Sequence, residues 1–243
     1  MTMSKPGRKA MRLLATWLSM ASFVMQSTAQ TGGGRAELEQ KLAALKQSIA
    51  ANQQKLRKYQ WTEVQQVTYK GEAKPERQFM CQYGPDGKVQ KFPIGEQPQV
   101  SGGKIKQRVV AKKKDELEQY MSQVKSLLAL YVPPDPQRMQ AGFQAGKASV
   151  SREAAAGLVN FTFTDYAQPG DQMVLAFDTA AKKIANIKIN TYLGEAKDAV
   201  TLAVDFSTLP DGTNFAEKTV LNLAAKQLIV TTMNMNYHPF GGA

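Results

Sequence analysis

The sequence of 243 residues has few of the side chains that build most catalytic centres. It contains one cysteine, Cys81, and one histidine, His238, which lies close to the C-terminus. A Ser-His-Asp or Cys-His arrangement would have to use this histidine, and a chain terminus is a poor place to hold a base in position. A single cysteine also excludes an internal disulfide, so stability must come from an ordinary hydrophobic core.

Motifs for metals and cofactors are equally scarce. No tight group of His, Cys, Asp and Glu shows metal-ligand spacing, and glycines 32–34 follow no predicted strand, which argues against a phosphate-binding loop. We therefore expect no metal, no cofactor and no enzymatic activity. A hydrolase with carboxylate chemistry stays open as an alternative, and it requires a buried Asp or Glu with a raised pKa in a cleft.

Long apolar runs are absent except near the N-terminus. Basic residues at positions 5, 8, 9 and 12 precede a mostly apolar run at 13–25, and small residues precede Ala29. The run is shorter than the ~20 residues of a membrane-spanning helix. The pattern predicts a secretory signal peptide over residues 1–29, cleaved near Ala29-Gln30, and a periplasmic or secreted protein.

Acidic residues are outnumbered, with 20 against 31 basic residues and a formal net charge of +11. The densest positive stretch, residues 104–114, predicts a solvated loop and helix start, and residues 104–111 could also form a strand. Transient contact with an anionic membrane surface is the alternative interpretation. Export argues against a nucleic-acid partner.

Two helices are predicted by apolar spacing. In residues 35–58 the spacing of four and three forms a heptad seam, made by Leu38, Leu42, Leu45, Ile49, Asn52 and Leu56. This helix either covers the protein's own sheet or pairs with a partner protein or a second copy. A second helix, at 115–132, ends at Pro133 and Pro134 and belongs to a helical insertion near 114–145.

Most of the remaining chain alternates apolar and polar residues, which is typical of strands. The turn at 84–87, Gly-Pro-Asp-Gly, predicts a hairpin, and from residue 157 strands follow one another with short turns. Such strands pair antiparallel. We therefore expect an α+β fold: a strongly curved antiparallel sheet or unclosed β-barrel with helices covering the concave face. Residues 35–243 would form one domain, after a flexible leader at 30–34.

Large adaptable apolar side chains on the predicted sheet and helices are candidates for a ligand pocket. The candidates are Trp61, Met80, Tyr120, Met121, Leu128, Tyr131, Phe161, Met173, Phe177, Leu202, Val204 and Phe206. The function expected from them is binding of a lipid, acyl chain or other apolar ligand by an exported carrier. In the alternative, the same side chains fill the core and the N-terminal helix serves a partner or self-association.

The order of elements resembles that of the periplasmic lipoprotein-carrier superfamily of LolA- and LolB-like proteins. The resemblance rests on AELEQKLAALKQSI, on YQWTEVQQVTYKG, on the helical insertion and on MVLAFDTAAKKIANIKI. It implies an unclosed antiparallel barrel whose concave face shelters acyl chains under helices. It also implies a pocket arginine that holds a lid closed, for which Arg57, Arg77 and Arg108 are candidates. No cysteine stands at the predicted cleavage site, so a carrier without a lipid anchor fits better than an anchored acceptor.

Overall fold

A computed structural model of the chain describes residues 30–95, 104–153 and 157–240. The predicted signal peptide lies outside these ranges. Contacts divide the chain into Met1–Glu37 and one large compact unit, Leu38–Ala243, to which the following description applies. Within the described ranges, no helix combines the length and the apolar character needed to cross a bilayer.

Three α-helices occur in the described ranges: α1 at Gln30–Leu56, α2 at Lys104–Leu128 and α3 at Pro136–Gln144. A short 3-10 helix at Ala224–Lys226 connects two strands near the C-terminus. Helix α1 includes the residues expected to form a flexible leader. The prediction of a strand at 104–111 is wrong, because this stretch belongs to α2. Its Lys, Gln, Arg and Ala residues are good helix formers, and no glycine or proline separates them from the helix that follows.

Helix α3 begins at a regular cap. The side chain of Asp135 accepts a hydrogen bond from the Gln137 backbone N–H at 2.8 Å, and Pro136 occupies the first turn. An Asp cap followed by proline is favoured because the first N–H groups of a helix have no partner within it.

The strands form a single antiparallel sheet. They are β1 (Tyr59–Tyr69), β2 (Glu72–Ala73), β3 (Arg77–Tyr83), β4 (Val89–Ile94), β5 (Ala148–Glu153), β6 (Leu158–Thr164), β7 (Gln172–Asp178), β8 (Lys183–Tyr192), β9 (Ala199–Thr208), β10 (Asn214–Leu223) and β11 (Leu228–Pro239). Their order is β4-β3-β1-β11-β10-β9-β8-β7-β6-β5, with β2 paired to β1. The described edge strands β4 and β5 do not pair with each other, so the sheet is unclosed, which is consistent with the predicted curved, unclosed sheet. The predicted α+β fold class is confirmed.

The helices cover one face of this sheet. Alternate residues of β6 to β11 are buried and share one core with α1, α2 and α3. From the helices, this core contains Leu42, Leu45, Tyr120, Val124, Leu127 and Met139. Two leucines of the heptad seam are therefore buried against the protein's own sheet.

Strands β10 and β11 separate at one end of the sheet. They pair from Leu223↔Leu228 as far as Lys218↔Met233. Beyond that point β10 continues beside β9, while the last residues of β11 continue beside β1. Each strand has a register irregularity there, and Asn236 adopts a positive φ of 56°. Bulges of this kind bend a strand away from its neighbour.

A buried polar cluster attaches the segment after α2 to the sheet. The Tyr131 hydroxyl donates to Asp171 at 2.5 Å and lies 2.8 Å from the Thr191 hydroxyl. Asp171 also accepts backbone N–H bonds from Tyr166, Ala167 and Gln168. Burial raises the pKa of Tyr131, and its hydrogen bond to Asp171 raises that pKa further. Burial likewise raises the pKa of Tyr166 to about 12.

These tyrosines predict a loss of stability in alkali. A pKa that is higher in the folded state than the ~10 of an unfolded chain stabilises the fold below pH ~10, and this contribution is lost as the pH rises towards the folded value. The free energy of unfolding, measured with urea, should therefore decrease from pH ~10 upwards. Tyr131→Phe, which cannot ionise at this position, should show a shallower decrease. An equal slope in both proteins would contradict this prediction.

Candidate functional site

A cavity of about 560 Å³ lies where β10 and β11 separate. The second half of α1, the β3–β4 hairpin and the turn after α2 form its remaining walls. It is lined by Ser48, Ile49, Asn52, Gln53, Leu56, Arg57, Trp61, Glu63, Tyr83, Gly87, Val89, Lys91, Val132, Pro133, Pro134, Ile184, Ile187, Phe206, Asn214, Phe215, Ala216, Asn234 and Tyr237. Most of the exposed wall is apolar, which is typical of small-molecule sites.

One wall of the cavity is aromatic. The rings of Trp61 and Tyr237 stack with centroids 5.3 Å apart and planes 9° from parallel. The ring centroids of Phe215 and Tyr237 lie 4.4 Å apart, and those of Tyr83 and Trp61 lie 5.6 Å apart. Burial raises the pKa of Tyr237 and of Tyr83. These rings give a rigid apolar surface that needs little ordering when a ligand binds.

Two asparagine side chains supply hydrogen bonds to β10 where β11 leaves it. Asn52 of α1 donates to the Asn214 carbonyl and accepts from the Asn214 N–H, both at 2.7 Å. Asn234 donates to the Ala216 carbonyl at 2.8 Å and accepts from the Trp61 ring N–H at 3.0 Å. Because buried main-chain groups need partners, these amides replace a neighbouring strand and leave space between β10 and β11.

An ion pair between a buried carboxylate and an exposed lysine lies beside the aromatic wall. Glu63 is 5% exposed, and the Lys91 ammonium donates to its two oxygens at 2.5 and 2.7 Å. The register places Lys91 beside Cys81 and Cys81 beside Trp61, so the lysine side chain passes across β3 to reach β1. Burial and then the Glu63 charge raise the pKa of the Cys81 thiol to about 11, which makes this thiol a poor nucleophile.

Arg57 lies at the rim of the cavity. Its side chain rests on Gly87 of the β3–β4 hairpin, where an added Cβ atom would lie 2.9 Å from Nη2. Gly87 has a φ of +73°, so the hairpin turn favours glycine for its backbone as well. The positive charge of Arg57 lowers the pKa of the Tyr83 hydroxyl, against the larger effect of burial.

Carboxylate catalysis would need acidic groups in this cavity. Among the described lining residues the only one is Glu63, and it is paired with Lys91. The described ranges also contain no group of three or more His, Cys, Asp and Glu residues arranged to hold a metal ion. This mainly apolar lining, with its one described carboxylate paired, suits binding of an apolar molecule better than acid–base chemistry.

The predicted pocket residues fall into three groups. Trp61 and Phe206 line the cavity. The described core contains Tyr120, Tyr131, Phe161, Met173, Phe177, Leu202 and Val204, with Met121 and Leu128 packed against it. Met80 is 39% exposed and alternates with the inward-facing Cys81 on β3. A ligand contact for the residues outside the cavity wall stays a prediction.

The three candidate arginines also separate. Arg57 lines the cavity, and Arg77 is exposed at the start of β3 without lining it. The side chain of Arg108 lies outside the described residues, as do those of the other residues of the positive stretch at 104–114. A lid-locking role for any of the three stays a prediction, as does contact of this stretch with a membrane.

Several lining residues escape sequence reasoning. Glu63, Tyr83, Asn234 and Tyr237 sit on strands from the two ends of the chain, which meet only because β1 pairs with both β3 and β11. Asn52 carries a signal in the sequence, since it is the one polar residue of the heptad seam. Its amide bonds to the Asn214 backbone, which explains the interruption.

Comparisons with known proteins find similarity in structure alone. No protein-family model matches the chain, and no curated protein matches it significantly. A DUF1329 family protein from Desulfovibrio piger aligns with a TM-score of 0.41 and 11% identity over 83% of this chain and 93% of its own. A LolA superfamily protein from Nitrosomonas europaea aligns with a TM-score of 0.35 and 8% identity over 81% and 94%.

The double hydrogen bond of Asn52 predicts an unusual mutational result. Asn52→Leu completes the heptad seam but leaves the N–H and carbonyl of Asn214 without their partner. We expect it to lower the free energy of unfolding by about 1–3 kcal/mol, because buried polar groups left unpaired are costly. Gln54→Leu adds the same side chain at an exposed position of α1 and should change stability by less than ~0.5 kcal/mol. Urea unfolding of both variants checks this, and a stabilised Asn52→Leu would contradict the account.

Proposed function

We propose that this protein binds one small, mainly apolar ligand, such as an acyl chain, in the cavity between α1 and the separated strands, and that it carries this ligand without converting it chemically. The observation that supports the proposal is the cavity itself. The cavity of about 560 Å³ lies between packed helices and strands, and Trp61, Phe206 and Phe215 form part of its wall. A filled core would leave no such volume, because interiors are packed as densely as organic crystals.

The volume indicates the size of the ligand. At about 30 Å³ for a group as large as one water molecule, the cavity accommodates on the order of 15–20 non-hydrogen atoms. That is one acyl chain or a molecule of similar size. Each buried methylene contributes about 0.8 kcal/mol, so burial of a chain of ten or more carbons can offset the cost of association.

The proposed carrier is exported from the cytoplasm and transports its ligand. The N-terminal pattern at residues 1–29 supports a periplasmic or secreted protein, and the resemblance to the lipoprotein-carrier superfamily supports a carrier of lipids or lipid-modified proteins. A partner that delivers or receives the ligand would complete this role.

Self-association through α1 receives less support than ligand binding. A coiled coil would need the heptad seam to face a partner, but Leu42 and Leu45 are buried in the protein's own core. Ile49, Asn52 and Leu56 of the same seam line the cavity. The seam is thus occupied by the sheet and by the cavity along the described part of the helix.

Trp61 provides a direct test of ligand binding. It is the only tryptophan of residues 30–243 and lies in the cavity wall. In a protein starting at residue 30, dibrominated stearate should quench its fluorescence saturably at a stoichiometry of one, because bromine quenches at contact. Unbrominated stearate should compete without quenching as strongly.

A cavity-filling variant locates the site. Ala216→Leu adds three carbon atoms inside the cavity and should weaken binding of the brominated chain at least ~10-fold, since the ligand would lose several methylene contacts. The matched control is Ala43→Leu, at an exposed position of α1, which should bind like the parent protein. Undiminished binding by Ala216→Leu, or absence of quenching in the parent protein, would sink the proposal.

A further inference from the structure

The rim of the cavity is positively charged, and this bears on the chemistry of the ligand that the proposed function requires. Arg57 and Lys91 are the basic residues that line the cavity within the described ranges, and Glu63 is the acidic one. The lysine is engaged with Glu63 through both carboxylate oxygens. Within the same ranges no carboxylate forms an ion pair with Arg57. Its guanidinium is therefore the charge at the rim that is available to a ligand.

The position of Arg57 is set by its surroundings rather than by an ionic partner. The end of α1 brings it to the hairpin, and the missing side chain of Gly87 allows Nη2 to approach the turn closely. The guanidinium is near enough to Tyr83 for its charge to act on that hydroxyl. A planar guanidinium held in this way binds carboxylates and phosphates through two parallel hydrogen bonds.

Apolar and charged surfaces are thus arranged in sequence from the solvent inwards. Arg57 is exposed, Tyr83 is half-buried, and Trp61 and Ile187 are buried. An amphiphile can lie along such a gradient with its head at the rim and its chain inside. A cationic head would meet like charge, which is unfavourable at a recognition site.

We infer that the ligand is a single-chain amphiphile with an anionic head, a carboxylate or a phosphate, whose head is bound by Arg57 at the rim while its chain lies along Trp61 towards Phe206 and Ile187. This inference rests on the proposed function and adds the class of ligand to it. One chain is required by the volume of about 560 Å³. The head and the chain would contact different residues, so substitutions can remove the contribution of each to the binding affinity separately.

The test compares a charged and an uncharged ligand with the same chain. Quenching of Trp61 is measured with dibrominated stearate and with dibrominated stearyl alcohol, both below the concentrations at which they aggregate. In Arg57→Gln we expect stearate to bind about 10-fold more weakly, as for loss of a charge-assisted hydrogen bond, and the alcohol to bind as in the parent protein. Arg57→Lys keeps the positive charge without the planar guanidinium. Its affinity for stearate should lie between that of the parent protein and that of Arg57→Gln.

The matched control is Lys58→Gln, which removes a positive charge from the adjacent exposed residue. Lys58→Gln should leave the affinities for the brominated acid and alcohol unchanged. This result would show that the weaker binding of stearate by Arg57→Gln comes from loss of the guanidinium and not from a lower net charge in this region. Urea unfolding of each variant confirms that the fold is retained. Competition by lysophosphatidic acid and by stearate then distinguishes a phosphate head from a carboxylate head, and inorganic phosphate shows whether the head alone binds.

Failure of this inference differs from failure of the proposed function. If Arg57→Gln weakens the acid and the alcohol equally, or weakens neither, the head is not bound by Arg57, while the cavity still accepts the chain. If neither brominated compound quenches Trp61 in the parent protein, the proposed function fails and the inference fails with it. If Arg57→Gln binds the acid more weakly but the alcohol normally, and Lys58→Gln binds both normally, the result supports the proposed function and this inference together.

Discussion

The separation of β10 from β11 is the constraint on which the candidate site depends. Two neighbouring antiparallel strands normally satisfy each other's main-chain groups along their whole length. Here pairing stops at Lys218↔Met233. Amide side chains from α1 and from β11 itself bind β10 at Asn214 and Ala216 instead. The sheet can therefore divide without leaving these main-chain groups unpaired, and the division provides the volume of the cavity.

The same constraint connects α1 to the ligand. Asn52 binds the end of β10, and its helix neighbours Ile49 and Leu56 line the cavity beside it. The next residue, Arg57, reaches Gly87 of the β3–β4 hairpin. Movement of this part of α1 would change the hydrogen bonding of β10, the apolar wall and the charge at the rim together. A ligand that contacts the aromatic wall and Arg57 at once would hold these elements in one arrangement.

The fold class was predictable because it depends on local patterns. Alternation identifies strands such as β6 and β9, short turns require antiparallel pairing, and apolar spacing identifies α1. The strand predicted at 104–111 was wrong because a short basic stretch with a few apolar residues fits either period, and the adjoining helix extended into it. In this stretch the absence of a glycine or proline that would end the helix is a better guide to secondary structure than the apolar period.

The candidate site was less accessible from the sequence because it is made by long-range pairing. Trp61 and Tyr237 stack only because β1 and β11, the first and last strands along the chain, are neighbours in the sheet, and no local sequence pattern indicates this pairing. Large apolar residues such as Tyr131 and Phe161 were plausible pocket residues by size, but the structure places them in the packed core. Size and apolar character do not separate a cavity wall from a filled interior, since both contain the same side chains.

The most direct test is native mass spectrometry of residues 30–243. The protein is purified without detergent and then mixed with equal amounts of stearate, stearyl alcohol and stearyl amine. We predict one adduct for each protein molecule, with stearate preferred over the alcohol and the amine disfavoured. A protein that retains no adduct under conditions that preserve its fold would contradict ligand binding in the cavity. Preference for the amine would contradict recognition of an anionic head.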